Sequence, residues 1–181
     1  MEKRQIGGEI TNFDQAAVFP IIPGMEILYF GKECPEQEQK TYSKLKDLPS
    51  TIIVQKCTTS DFCIIYRMGK HLPTAFIRYS VDMVILINPE QICIDDMQVA
   101  PVVWQYIQDM ANTFQIDQRF CVVKAQPEMK EIFEELQSIP LPPRMFRFYM
   151  LLKVTELFLQ FSAMNLYSAR VHFYPYRQKE E

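Results

Sequence analysis

The stretch Phe120-Cys121-Val122-Val123-Lys124-Ala125 runs into Gln126-Pro127-Glu128-Met129-Lys130-Glu131-Ile132-Phe133-Glu134-Glu135-Leu136 and then into an apolar run from Arg144 to Met164. Its first piece, apolar and bounded by turn formers, reads as a short strand. Pro127 suits the first turn of a helix, because its missing N–H would find no intrahelical partner there. Glu128 and Glu131 stand near the positive end of that helix. Met129, Ile132, Phe133, Leu136 and Ile139 recur at helical spacing and form its buried face. Pro140, Pro142 and Pro143 stop it, and a helix of about twenty residues follows.

That last helix carries more apolar surface than one core needs. At 3.6 residues per turn, Tyr149, Lys153, Glu156 and Gln160 fall on one narrow polar strip. Met150, Val154, Leu157, Phe161 and Met164 recur at spacings of four, three, four and three, and Phe148, Leu151, Leu152, Phe158 and Leu159 fill the neighbouring face. The apolar arc spans roughly 220°, against the roughly 100° or more of an ordinary surface helix. Two arrangements satisfy it: burial on two sides within one domain, or one face on the domain and the other on a second copy. For self-association, the 3.5-residue repeat of Met150, Val154, Leu157, Phe161 and Met164 is the expected seam. A membrane span needs about twenty consecutive apolar residues, and Arg144, Arg147, Lys153 and Glu156 interrupt this run.

The chain has 181 residues, enough for one domain or somewhat more. Hydrophobic residues make up 48%, which is sufficient for a core. Net charge is -3 with no basic stripe, so nothing marks a surface for gripping nucleic-acid phosphates. The five cysteines are odd in number, widely spaced and form no C-x-x-C pair, which fits buried free thiols in a reducing cytosol. The start, Met1-Glu2-Lys3-Arg4-Gln5, leads into no apolar signal core. A cytoplasmic protein without a membrane anchor is the expectation.

Along the chain, residues 1–17 are polar, with Gly7-Gly8, and are expected to be loosely ordered at first. Val18 to Pro23-Gly24 is extended and ends in a Pro-Gly turn, and Met25 to Phe30 reads as a strand. Gly31 to Pro49 reads as a loop, with a short helix around Tyr42 to Asp47. Thr51 to Lys56, Phe62 to Tyr66, Thr74 to Ser80 and Asp82 to Asn88 are strand candidates, with Met68-Gly69-Lys70-His71 as a turn and Pro89 as a stop. Val99, Val102, Val103, Tyr106, Ile107, Met110 and Phe114 then share one helical face. From Tyr167 to Glu181 no clean apolar stripe fits either period, so this segment is expected to be held by its aromatics and not by regular structure. No internal repeat occurs. These readings divide the chain into a β-rich portion (1–93), a helical portion (94–166) and a connector (167–181).

Chemistry of the common catalytic kinds has no carrier in the sequence. Only two histidines occur, His71 and His172, with no H-x-H pair, so no metal site is expected. There is no G-x-S-x-G, Walker loop or G-x-G-x-x-G, and five glycines are too few for a glycine-rich phosphate cradle. Asp95-Asp96 precedes a helix pattern and suits a turn or cap better than acid–base work. Neither a cofactor nor an enzymatic activity is expected.

Several segments taken in order resemble the effector-domain end of AraC-type bacterial transcription regulators. They are Ile22-Pro23-Gly24-Met25-Glu26, Val84-Ile85-Leu86-Ile87, Ile94-Asp95-Asp96-Met97-Gln98-Val99, Arg119-Phe120-Cys121-Val122-Val123-Lys124, Glu131-Ile132-Phe133-Glu134-Glu135-Leu136 and, most closely, Tyr149-Met150-Leu151-Leu152-Lys153-Val154-Thr155-Glu156-Leu157-Phe158-Leu159. The resemblance covers about half of the chain well and implies an α+β fold. A cupin-like antiparallel β unit would be followed by a helix, a strand and two helices, the last one long. It implies a small effector bound inside the β unit, a homodimer through the long helix, and DNA binding only through a helix-turn-helix module that this sequence lacks. The segment from Gly31 to Thr59 is shorter and more polar than a full cupin-like sheet, so the β unit is expected to be incomplete. Tyr66, Arg67, Phe76, Arg78 and Tyr79 are the candidate ligand-binding residues. An arginine among aromatics would fix a carboxylate, and a solvated edge-strand charge is the plainer alternative. Two other readings stay open: a stand-alone dimerisation or interaction protein without effector, and a small cupin-like enzyme. A buried, partly polar pocket marks a sensor, and a fully packed core marks a scaffold.

Overall fold

The computed structural model describes residues 13–30, 38–42, 51–57, 62–70, 72, 81–92, 100–138, 143–164 and 170–177. Strands β1 (Phe13–Ile22), β2 (Met25–Tyr29), β3 (Glu38–Tyr42), β4 (Ile52–Cys57), β5 (Phe62–Arg67) and β6 (Val81–Ile87) come first. Helix α1 (Ala100–Phe114), strand β7 (Arg119–Lys124), helices α2 (Pro127–Gln137) and α3 (Pro143–Ser162) and strand β8 (Val171–Pro175) follow. The strands form one eight-stranded sheet in the order β3-β1-β2-β6-β4-β5-β7-β8. Every pairing in it is antiparallel. The fold class is α+β.

Four expectations change. The sheet crosses the boundary set between 93 and 94, because β7 pairs with β5 and β8 with β7. The segment after Tyr167 holds a strand, Val171–Pro175, where irregular chain was expected. Glu38–Tyr42 is a strand within the expected loop, and β1 starts at Phe13, before the extended segment expected from Val18. Both β3 and β8 lie at sheet edges. Edge strands tolerate charged residues and proline, so neither shows the apolar alternation that reveals an inner strand. The strand expected at Thr74 to Ser80 lies outside the described residues, as do the last five residues of the short helix expected around Tyr42 to Asp47.

Alternation with period two sorts the strand side chains onto two faces. One face presents Ile27, Tyr29, Ile52, Val54, Cys63, Ile65, Met83, Ile85, Ile87, Cys121 and Val123 to the buried sides of the three helices. The other carries Leu28, Ile53, Cys57, Ile64, Tyr66, Val84, Leu86 and Phe120, also buried. Burial on both faces explains why the inner strands read as near-continuous apolar runs.

Hydrogen bonds fasten the helices to the sheet. The Tyr29 hydroxyl donates to the Leu136 carbonyl at 2.7 Å, satisfying one of the carbonyls left free at the end of α2. Arg147 Nε donates to the Ile21 carbonyl at 2.6 Å, tying the first turns of α3 to β1. The β1–β2 turn requires its glycine. Gly24 has φ of +90°, and a Cβ there would come within 2.8 Å of the Asn88 carbonyl oxygen and the Ile92 nitrogen.

Candidate functional site

On the sheet face away from the helices, one strand position breaks the apolar pattern. Gln55 lies between Ile53 and Cys57 on the same side of β4 and is buried. Diagonally across the β4–β5 pair stands Tyr66, opposite Ile53 in the register; it is fully buried and donates its hydroxyl proton to Gln55 Oε1 at 2.9 Å. Cys57 follows Gln55 on the same side of the strand, so the Tyr66–Gln55 pair lies beside its thiol in apolar surroundings. Burial pushes the Cys57 thiol up to about 12, against the smaller opposing pulls of the Gln55 hydrogen bond and the Lys56 charge. Burial likewise holds the Tyr66 phenol well above its ordinary range, with Cys57 and Tyr176 adding to it. All three groups are neutral hydrogen-bonding groups at physiological pH.

Aromatic side chains from the end of the chain close one side of this face. Tyr174 stacks on Phe120 with ring centroids 5.4 Å apart, and Tyr176 lies against the same ring at 5.8 Å. The Tyr176 hydroxyl donates to the Ile116 carbonyl and accepts from the Arg67 backbone N–H at 3.1 Å. Burial raises its pKa to about 12.

Of the expected ligand-binding residues, Tyr66 and Arg67 are the two among the described residues. Tyr66 lies on this face. Arg67 is the next residue along the strand, so the pleat turns it the other way. Its Nε bonds the exposed Asp117 Oδ1 at 2.9 Å. Phe76, Arg78 and Tyr79 lie outside the described residues. Gln55, Cys57, Phe120, Tyr174 and Tyr176 were missed. Gln55 was legible as the one uncharged polar residue in the run Ile52-Ile53-Val54-Gln55-Lys56-Cys57; the tyrosines were visible as aromatics two residues apart.

The seam expected for dimerisation is also corrected. Met150, Val154, Leu157, Phe161 and Met164 are all buried within the chain itself. They belong to the core formed with the sheet and the other two helices, where Phe161 meets Phe114 edge-on at 6.4 Å. The exposed side of α3 carries Met145 (50% exposed), Phe148 (66%), Leu152 (65%) and Leu159 (44%). The polar strip runs beside it: Lys153 pairs with Glu135 of α2 and with Glu156 at 3.3 Å, and Tyr149 reaches Glu135 at 3.5 Å.

Among the described residues no group of three or more histidine, cysteine, aspartate or glutamate side chains is placed to hold a metal ion. Within the same residues, no helix is long and apolar enough to cross a membrane. Cys57, Cys63 and Cys121 are free and buried. Searches against protein-family models, curated proteins and solved structures find no match to this chain.

Proposed function

We propose that this chain is the sensory and dimerisation domain of an AraC-like bacterial transcription regulator. In this reading it binds a small effector on the sheet face opposite the helices and pairs with itself through the long helix. It acts on DNA only through a separate helix-turn-helix module, without catalysing a reaction, and it works in the cytoplasm. The observation that carries the reading is the buried Tyr66–Gln55 hydrogen bond, beside Cys57, in a largely apolar face. A core that serves packing alone gains little from such groups, because each buried polar group costs about 1–3 kcal/mol when left unpaired. Ligand pockets combine an apolar lining with a few placed polar groups. Arg67 turns towards Asp117, and the buried polar side chains paired on this face, Tyr66 and Gln55, are uncharged. A neutral, largely apolar effector with one hydrogen-bonding group suits it better than a carboxylate.

A thermal-shift and NMR screen of neutral phenols, amides and small heterocycles tests this. At least one class is expected to stabilise the wild type and to bind on the order of tenfold more weakly to Tyr66→Phe, one hydrogen bond being worth about 1 kcal/mol. No binder at millimolar concentration would sink the sensor. It would favour the second reading, a stand-alone dimerisation protein, which the complete burial of Tyr66 also suits.

A further inference from the structure

We infer that the outer edge of β8 is a docking strand for an extended acidic segment of a partner protein. β8 is the last strand of the sheet, so its far edge is open to further ladder pairing. The Lys124 N–H donates to the Arg170 carbonyl at 2.7 Å, which sets the phase of the β7–β8 ladder. In that phase the N–H and C=O groups of Val171 and Phe173 point away from β7, as does the Pro175 carbonyl. Pro175 has no N–H to offer at its outward position, which is where an edge strand tolerates proline. The outer edge of β8 thus presents main-chain donors and acceptors in the alternation that another strand requires.

The charge along this edge selects the occupant. The whole chain has a net charge of -3, yet neither β7 nor the stretch from Arg170 to Arg177 contains an acidic residue. Lys124, Arg170, His172 and Arg177 are exposed. On the helix side, the Arg119 guanidinium lies over the Phe173 ring, 3.7 Å from its centroid. Arg119 Nε is buried and has no hydrogen-bond partner among the described residues. Buried donors are ordinarily paired, and the planar guanidinium fork suits a carboxylate. Among the described residues no carboxylate pairs with Arg119 or Lys124. Charge of one sign keeps β8 from pairing with the β8 of a second copy. The other edge strand, Glu38-Gln39-Lys40-Thr41-Tyr42, carries charge of both signs and offers no match either. A nucleic acid would bring negative charge but no strand to meet the outward amides and carbonyls. An extended acidic peptide brings both: main-chain hydrogen bonds give affinity, and carboxylates at alternate positions choose the partner. So short a strand covers less than the ~800 Å² per side of a standard interface, so the contact belongs to the transient class.

NMR titration of the whole chain with a capped peptide of alternating glutamate and valine tests the proposal. Three other probes accompany it: the same peptide N-methylated throughout, a lysine–valine peptide, and a single-stranded oligonucleotide. The glutamate peptide is expected to bind, to shift the Val171 and Phe173 amides, and to slow their hydrogen exchange at least ~10-fold. N-methylation removes the main-chain donors and lysine reverses the charge, so each is expected to weaken binding at least ~10-fold. The double variant Arg119→Gln/Lys124→Gln is expected to weaken the glutamate peptide by a similar factor. Unchanged exchange at His172 and Tyr174 in the free variant shows that β8 still pairs with β7. No binding of the glutamate peptide at millimolar concentration overturns the proposal. Equal binding of the N-methylated peptide or of the oligonucleotide also overturns it, since the edge would then be a general anion contact. Shifts confined to residues away from β7 and β8 would place the peptide elsewhere and overturn it as well.

Discussion

Gln55 and Cys57 show how a single strand position differs from its sequence neighbours. The run from Ile52 to Cys57 looks uniformly apolar apart from Gln55 and Lys56, yet the pleat places Gln55 beside Cys57 and sends Lys56 to Asp82, 2.7 Å away. The same alternation separates Tyr66 from Arg67, which is why grouping them as one site from their adjacency fails. Burial also sets the pH response. Cys57 and Cys121 are pushed from an ordinary 9.0 to about 12, and Cys63 is also raised well above 9.0, in each case chiefly by burial. Each folded-state pKa lies above its unfolded value, so the stability these thiols contribute is intact below pH 9.0. It is lost as pH climbs towards about 12, because the unfolded chain then sheds protons that the folded chain retains. Urea midpoints should therefore be level between about pH 7 and about pH 8.5 and fall steadily above that. Replacing Cys121 by Ala should flatten part of the fall; a midpoint independent of pH up to about 11 would contradict the burial of these thiols.

At the scale of elements, strong periodicity was readable and edges were not. The helices Ala100–Phe114, Pro127–Gln137 and Pro143–Ser162 follow from their apolar spacing, the last two also from their prolines. The inner strands follow from β-branched runs. For α3 the sequence showed an excess of apolar arc but not which part faces inward, because both stripes carry the same three-and-four repeat. Only the position of the sheet and of α1 decides that. Strand β8 was hidden because an edge strand can be half polar, as Val171-His172-Phe173-Tyr174-Pro175 is. Its ladder makes a specific prediction. The Lys124 N–H donates to the Arg170 carbonyl at 2.7 Å, which makes Val123 and Val171 a non-hydrogen-bonded pair. By alternation the amides of His172 and Tyr174 point into the sheet, while those of Val171 and Phe173 point outward from the edge. Hydrogen exchange should therefore be slow at His172 and Tyr174 and at least tenfold faster at Phe173. Uniformly fast exchange through this segment would restore the irregular connector expected from the sequence.

In the whole molecule, the sheet and the helical layer are joined at the end of the chain as well as by loops. Strand β8 supplies Val171 and Phe173 to the core under the helices, with Phe173 beside Phe114 at 6.4 Å, and supplies Tyr174 to the opposite face. Tyr176 then spans Arg67 on β5 and Ile116 in the α1–β7 connection. These contacts link both apolar clusters to one short segment, so the two faces of the sheet are mechanically joined through it. Two variants separate the contributions. Tyr176→Phe removes the hydroxyl and leaves the ring on Phe120. It should lower unfolding stability by about 1–2 kcal/mol, the cost of leaving buried backbone groups without that partner, with the fold intact. Deleting residues 170–181 removes a strand of the sheet and uncovers Cys121, Val123 and Phe120. It should cost several kcal/mol, on the order of the loss of two or three buried side chains. Near-ultraviolet circular dichroism should collapse while much of the far-ultraviolet signal remains. A deletion variant with an unchanged urea midpoint would mean that the segment merely lies on a domain already complete without it, and the coupling between the two faces would have to run elsewhere.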